Sequence, residues 1–110
     1  MSGTRLCALD DVADGGSAGF TVEAEGGRTA MFVVRRGDAV FGYVNACPHI
    51  GAPLNFLPDV FLNLDKTHIQ CSTHGALFDV ADGTCVSGPC KGQRLKPVGV
   101  TLRDGTLFVG

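Results

Sequence analysis

Two short segments of this 110-residue chain each combine a thiol with an imidazole. They are C-P-H-I-G at 47–51 and C-S-T-H-G at 71–75, and each also carries a glycine. Thiolate sulfur and imidazole nitrogen are both metal ligands in proteins. The two segments together therefore predict a mixed metal site built from Cys47, His49, Cys71 and His74.

The way the ligands are paired indicates which metal they hold. A structural zinc site commonly takes a Cys pair from one turn and a His pair from another. Here each segment supplies one Cys and one His, which suits two metal atoms side by side, each bound by like ligands from both loops. A 2Fe-2S centre in which two His replace two Cys on one iron is the Rieske arrangement. A single zinc site is the alternative.

The C-x-H motif at 47–49 and the C-x-x-H motif at 71–74 resemble the cluster-binding loops of the Rieske iron–sulfur proteins. The resemblance implies one 2Fe-2S cluster per chain. It further implies that Cys47 and Cys71 bind the inner iron, whereas His49 and His74 bind the outer, more exposed iron. The segment 50–70 between the two loops is longer than is usual in that family.

The elements that must position these loops are β-strands, because the apolar residues recur with a period of two and turn residues follow at short intervals. The predicted strands are 5–9, 20–25, 29–35, 39–45, 68–70, 76–80, 84–86, 98–103 and 106–109. Asp104-Gly105 is a typical two-residue hairpin turn. The chain is therefore predicted to be all-β. The resemblance implies the Rieske domain fold, an antiparallel β-sandwich base with an inserted cluster-binding lobe at about 46–92.

Length and composition predict one domain, 1–110. The chain is 45% hydrophobic, which is enough for a modest core. A net charge of -2 gives no strong field for nucleic acid, and no apolar run has the length of a membrane span. No secretory signal is visible, and an odd count of five Cys suits a reducing compartment. These features predict a cytoplasmic protein with no nucleic-acid or membrane partner.

The histidine count restricts the function. Of the three His in the chain, two are assigned to the cluster, which leaves His68 alone. A two-His-one-carboxylate iron site of the oxygenase type cannot be built from it, and no G-x-G-x-x-G turn indicates a nucleotide cofactor. The chain is therefore predicted not to be an enzyme, since it has no complete catalytic site of its own.

A one-electron carrier remains. The chain is similar to the small Rieske ferredoxins, and this resemblance implies two redox partners, a flavoprotein reductase and a terminal oxygenase. One alternative is the small Rieske subunit of an assimilatory nitrite reductase, and another is a zinc-stabilised interaction module.

Several other residues lead to separate predictions. Cys7 is predicted to be a small buried side chain, and Cys85 and Cys90 are predicted to be reduced thiols beside the cluster. His68 is predicted to be exposed on a surface strand, and a role in partner docking is the alternative. The apolar insert 55–62 is either a satellite core or a docking patch.

The resemblance also predicts a low reduction potential, near ~-150 mV in a range that runs to about +300 mV. High-potential members place a serine and a tyrosine after the second loop, and their hydroxyls donate to cluster sulfur. The matching residues here are Ala76 and Phe78, and neither can donate. Each missing hydroxyl is expected to lower the potential by about 60–130 mV.

Overall fold

The computed structural model describes residues 4–24, 27–46, 54, 61–63, 66–71, 75–88 and 91–109. Its strands are β1 Thr4–Ala8, β2 Ser17–Ala24, β3 Gly27–Arg36, β4 Ala39–Val44, β5 Ile69–Gln70, β6 Leu77–Phe78, β7 Cys85–Ser87, β8 Pro97–Val98, β9 Val100–Arg103 and β10 Thr106–Val109. One 3₁₀ turn covers Leu9–Asp11. No helix among the described residues is long and apolar enough to cross a membrane.

Two antiparallel sheets form the base. One has the strand order β1-β10-β9, and the other has the order β2-β3-β4-β8. A buried apolar cluster lies between them and includes Met31, Val33 and Leu107. Cys7 belongs to this cluster, as predicted, and burial, followed by the charge of Asp11, raises the pKa of its thiol.

A third antiparallel sheet, β5-β6-β7, carries the predicted cluster-binding region. It packs against the β2-β3-β4-β8 sheet, on the face opposite the first cluster. The second apolar cluster fills this contact and includes Phe32, Tyr43, Phe78 and Leu95. The predicted all-β class is confirmed.

Strand β3 explains how the base and the third sheet are joined. Successive side chains of a strand point to opposite faces. Met31 and Val33 accordingly enter the first cluster, whereas Phe32 and Val34 enter the second. The four consecutive apolar residues of β3 are therefore all buried, because the sheet is covered on both faces.

The chain before β5 adds a further edge to the third sheet. Leu62 forms an antiparallel bridge with Ile69, and the Gln70 amide donates to the Phe61 carbonyl at 2.9 Å. Asn63 closes the turn, since its Oδ1 accepts from the amides of Thr67 and His68 at 2.9 and 3.2 Å. Part of the long segment between the two ligand loops is thus built into the sheet.

The turn at Asp104-Gly105 follows the sequence prediction, but the strand predicted at 98–103 does not form as one piece. Asp104 and Gly105 both have positive φ, 52° and 74°, as a type I′ turn requires. The chain breaks at Gly99, so that Pro97–Val98 pairs with β4 while Val100–Arg103 pairs with β10. One apolar stretch therefore serves both base sheets.

Candidate metal centre

The second ligand loop is the connection between β5 and β6. Its first residue, Cys71, is fully buried. The Cys71 amide donates to the Ala76 carbonyl, and the Gly75 amide donates to the Cys71 carbonyl, both at 2.8 Å. These two hydrogen bonds fix the backbone at both ends of the loop.

Gly88 lies directly against this loop. A Cβ placed on Gly88 would come within 2.8 Å of the Ala76 Cα and 3.0 Å of its Cβ. The φ of Gly88 is +104°, a conformation that side-chain-bearing residues rarely adopt. Glycine therefore lets the chain that follows β7 approach the second ligand loop more closely than any other residue would.

The first ligand loop leaves the end of β4 and is closed by Asn45. The Asn45 amide donates to the Ala30 carbonyl at 2.9 Å, and its side-chain Oδ1 accepts from the Leu54 amide at 2.8 Å. Leu54 is fully buried. The loop is thus held at its base from both sides, by residues at positions 45 and 54.

Of the four predicted ligands, Cys71 is the one that the structure describes. Cys47, His49 and His74 lie outside the described residues, as does Cys90. The chemistry of the donor set fits a 2Fe-2S cluster, and the complete burial of Cys71 fits a ligand of the inner iron. The four-residue ligand set remains a prediction.

The side chains that follow the second loop present no hydroxyl to it. Ala76 and Phe78 are both fully buried. Cys85 pairs with Phe78 across the β6–β7 ladder and is buried, and its Sγ donates to the Ser87 carbonyl at 3.2 Å. The burial of Cys85 agrees with the predicted packing, and its reduced state stays a prediction.

Tyr43 fastens the turn between β6 and β7 to the base. Its hydroxyl donates to the Val80 carbonyl at 2.6 Å, and its ring lies 5.8 Å from that of Phe32. Burial raises the pKa of Tyr43 to about 12, and the charges of Asp82 and Asp79 act in the same direction. The phenol is therefore a neutral donor at physiological pH.

The described part of the apolar insert is core. Phe61 is buried, and its ring stacks on Phe32 with a centroid separation of 4.4 Å and an interplanar angle of 6°. Leu62 packs partly buried against the same cluster. The satellite-core interpretation holds for these two residues, whereas 55–60 lie outside the described residues. His68 is half-buried rather than exposed. Its ring nitrogen Nδ1 lies 3.0 Å from the Thr67 hydroxyl.

Comparison with known proteins decides the family. The model of the Rieske [2Fe-2S] domain matches residues 3–103. The chain belongs to the Rieske [2Fe-2S] domain family. Its cofactor is therefore a 2Fe-2S cluster, and the protein is an electron carrier, as predicted.

Relatives narrow the type of Rieske protein. The chain is 32% identical over 104 residues to the ferredoxin component of the p-cumate 2,3-dioxygenase system of Pseudomonas putida. The matched residues cover 94% of this chain and 81% of that protein. It is also 32% identical to the Sphingomonas yanoikuyae B1 ferredoxin, with a TM-score of 0.71 and coverage of 97% and 96% of the two chains.

A third similarity is to a chain in the complex of reduced oxygenase and oxidized ferredoxin in carbazole 1,9a-dioxygenase. The identity is 28%, the TM-score is 0.74, and the coverage is 96% of this chain and 99% of that one. These similarities favour a ferredoxin over the nitrite reductase subunit and the zinc module.

Sequence reasoning missed Asn45 and Tyr43 as residues that build the site, and it missed the residue that Gly88 contacts. Asn45, Tyr43 and Gly88 bind or contact residues at positions 54, 80 and 76. A weak signal existed for Asn45, because a polar side chain that directly precedes a ligand loop is often a loop-closing acceptor. The partners of the other two are set by tertiary packing.

Proposed function

We propose that this protein is a low-potential Rieske ferredoxin that takes one electron from a flavoprotein reductase and passes it to a terminal oxygenase. We assign Cys47 and Cys71 to one iron and His49 and His74 to the other. When bound, the cluster supplies a reversible one-electron couple. The chain has no catalytic site of its own in this proposal, and it works in the cytoplasm as a single domain.

The observation that carries the proposal is the packing and hydrogen bonding of the loop that begins at Cys71. This Cys is fully buried, both its backbone groups are hydrogen-bonded to residues of the same loop, and Gly88 closes over Ala76. A rigid, dry setting limits the reorganisation that accompanies a change of cluster charge. Such a setting suits a protein whose task is electron transfer.

The low potential rests on Ala76 and Phe78. Reduction adds negative charge to a cluster, so hydrogen-bond donors near its sulfurs stabilise the reduced form. Both side chains are fully buried beside the second ligand loop, and neither has a donor. A midpoint below zero, toward ~-150 mV, is therefore expected.

Two similar proteins support the proposed partners. One is the ferredoxin component of a dioxygenase system, and the other is a chain in a complex of oxygenase with ferredoxin. Affinity capture from the source cells with the reduced protein as bait should recover an oxygenase and a flavoprotein reductase. Recovery of a sirohaem-containing subunit would instead support the nitrite reductase alternative.

Metal analysis and redox titration test the carrier itself. The purified protein is expected to be red-brown, with about two irons and two acid-labile sulfides per chain, and to accept one electron from dithionite. Cys71→Ser should lose the cluster, and Cys85→Ser, which also removes a buried thiol, is the matched control that should keep it. A colourless protein with one tightly held zinc would overturn the proposal.

A further inference from the structure

Strand β7 carries an exposed apolar residue close to the second ligand loop. Val86 is 43% exposed, and the β6–β7 register shifts at this point, since Leu77 pairs with Ser87 and Phe78 pairs with Cys85. Val86 is thus the extra residue of a β-bulge, a feature that re-aims side chains and is frequent near functional sites. Two residues later, Gly88 contacts the loop that Cys71 begins.

Positive charge lies beside Val86. The chain returns antiparallel to β7, since Thr84 bridges Arg94 and the amide of buried Leu95 donates to the Gly83 carbonyl at 2.9 Å. Residues directly opposite each other in an antiparallel pair share a face of the sheet. Arg94 therefore shares a face with Thr84. Val86 is exposed next to buried Cys85, and Arg94 is exposed next to buried Leu95, so both lie on the solvent side of this ladder.

Lys91 is a second exposed cation in the turn that follows β7. Its amide donates to the Gly88 carbonyl at 3.3 Å, and its side chain is exposed. Within the described parts of the chain, Lys91 forms no ion pair. Among the acids that the structure describes, Asp82 interacts with Arg94. Hydrogen bonds from Thr84, followed by the Arg94 charge, lower the pKa of this carboxyl.

The charges of the chain are segregated along the sequence. Between Asp82 and Asp104 there is no Asp or Glu, although the chain carries 11 acidic residues in all. That interval holds four of the nine basic residues, namely Lys91, Arg94, Lys96 and Arg103. Exposed carboxylates lie on the base, at Asp10, Asp11, Asp14 and Asp38, and in the turn between β6 and β7, at Asp79 and Asp82. In a protein of net charge -2, the segment 83–103 that begins just before β7 is thus basic.

Val86, Lys91 and Arg94 together define the β7 surface, and we propose that it docks an acidic protein surface on the terminal oxygenase, with an apolar centre edged by Asp and Glu side chains. This inference rests on the proposed function. Interfaces of electron-transfer partners are small, below about 1,200 Å², so one apolar contact flanked by two cations is a sufficient anchor. Complementary charge accelerates the encounter and selects the partner.

Electron transfer to two forms of one haem protein tests the charge of this surface. The dithionite-reduced protein, freed of excess reductant, is mixed by stopped flow with native cytochrome c, which is basic, or with cytochrome c whose lysines are succinylated and therefore acidic. In each reaction one electron passes to the haem iron, Fe(III) becomes Fe(II), and the protein returns to its oxidised form. Haem absorbance gives the rate.

The β7 surface and the net charge predict opposite salt effects. If the β7 surface meets the acceptor, added NaCl should slow transfer to the succinylated form, because it screens an attraction, and should speed transfer to the native form. The net charge of -2 would produce the reverse. A rate with native cytochrome c that falls as salt is added would overturn the proposal.

Charge-reversal variants locate the effect. Lys91→Glu and Arg94→Glu should each slow transfer to the succinylated form by about threefold to tenfold at low ionic strength and speed transfer to the native form. Arg5→Glu makes the same change at an exposed position on β1, in another sheet, and should have the smaller effect. An equal response in all three variants would refute the assignment of the surface.

The apolar centre needs its own variant. Val86→Ser should slow transfer to both acceptors by a similar factor at every salt concentration, and unchanged rates would show that Val86 is not a contact. Dithionite should still deliver one electron to each variant. If the variants accept an electron but transfer it at unchanged rates, the docking proposal fails. If no variant accepts an electron, the carrier function fails instead.

Discussion

Replacement of Gly88 by Ala tests how the second ligand loop is held. Alanine at this position meets two penalties. The φ of +104° is unfavourable for a residue with a Cβ, at a cost of about 1–3 kcal/mol. The new Cβ would also lie 2.8 Å from the backbone Cα of Ala76, and overpacking of this kind costs about 1–3 kcal/mol. The expected loss of unfolding free energy is therefore about 2–6 kcal/mol.

Two other glycines separate these penalties. Gly92 has a φ of +92° but open space where a Cβ would lie, so Gly92→Ala measures the backbone term alone. At Gly83, which has a φ of +74°, a Cβ would meet the Tyr43 ring at 2.8 Å and Leu95 at 3.2 Å, away from the ligand loop. Gly83→Ala therefore adds steric conflict elsewhere.

The assay combines stability with a spectrum of the cluster. Circular dichroism during denaturant unfolding gives the unfolding free energy of each variant. It should be well below that of Gly92→Ala in both Gly88→Ala and Gly83→Ala. The electron paramagnetic resonance spectrum and midpoint potential of the reduced protein should change in Gly88→Ala alone, because only that variant displaces Ala76 and, through its hydrogen bond, Cys71. The reasoning fails if Gly92→Ala perturbs the spectrum as much, or if Gly88→Ala leaves it unchanged.

Three further predictions follow from described contacts. Ala76→Ser should raise the midpoint potential in a redox titration by about 60–130 mV, because it restores a donor beside the cluster. Tyr43 is the one tyrosine in a chain without tryptophan, so phenolate absorbance should report its pKa near 12. Because the unfolded tyrosine ionises near 10, the unfolding free energy should fall as pH rises from 10 toward 12, and Tyr43→Phe should remove that fall. Asn45→Ala leaves the amide of buried Leu54 without its acceptor, so the unfolding free energy should fall by about 1–3 kcal/mol. The cluster colour of this variant should also bleach faster. Asn45→Asp keeps the acceptor and should bleach more slowly than Asn45→Ala.

Local patterns in the sequence predicted much of the fold. The alternating apolar residues located the strands, and Asp104-Gly105 located the last hairpin turn, because both signals lie within a few consecutive residues. The C-x-H and C-x-x-H motifs indicated the family for the same reason. Cys71 then proved to be buried at the end of β5.

The missing parts depend on contacts between distant residues. Pro97–Val98 joins β4 rather than continuing into β9, and the Phe61 carbonyl pairs with the Gln70 amide. Neither pairing can be recognised from the spacing of apolar residues in the nearby sequence. The contact between Gly88 and Ala76 likewise joins two loops that no spacing rule connects. Sequence patterns specify which residues face a core, but not which core they enter.

The double burial of β3 bears on whether the cluster-binding region can be moved to another protein. A graft that begins after β4 would leave behind Phe32, on which the ring of Phe61 stacks, and Val34, which belongs to the same apolar cluster. A host scaffold would have to offer an apolar strand of matching shape or expose that surface to water. Recombination between Rieske ferredoxins is therefore expected to succeed when crossover points keep β3 and β4 with the ligand loops, and to give insoluble products when they do not.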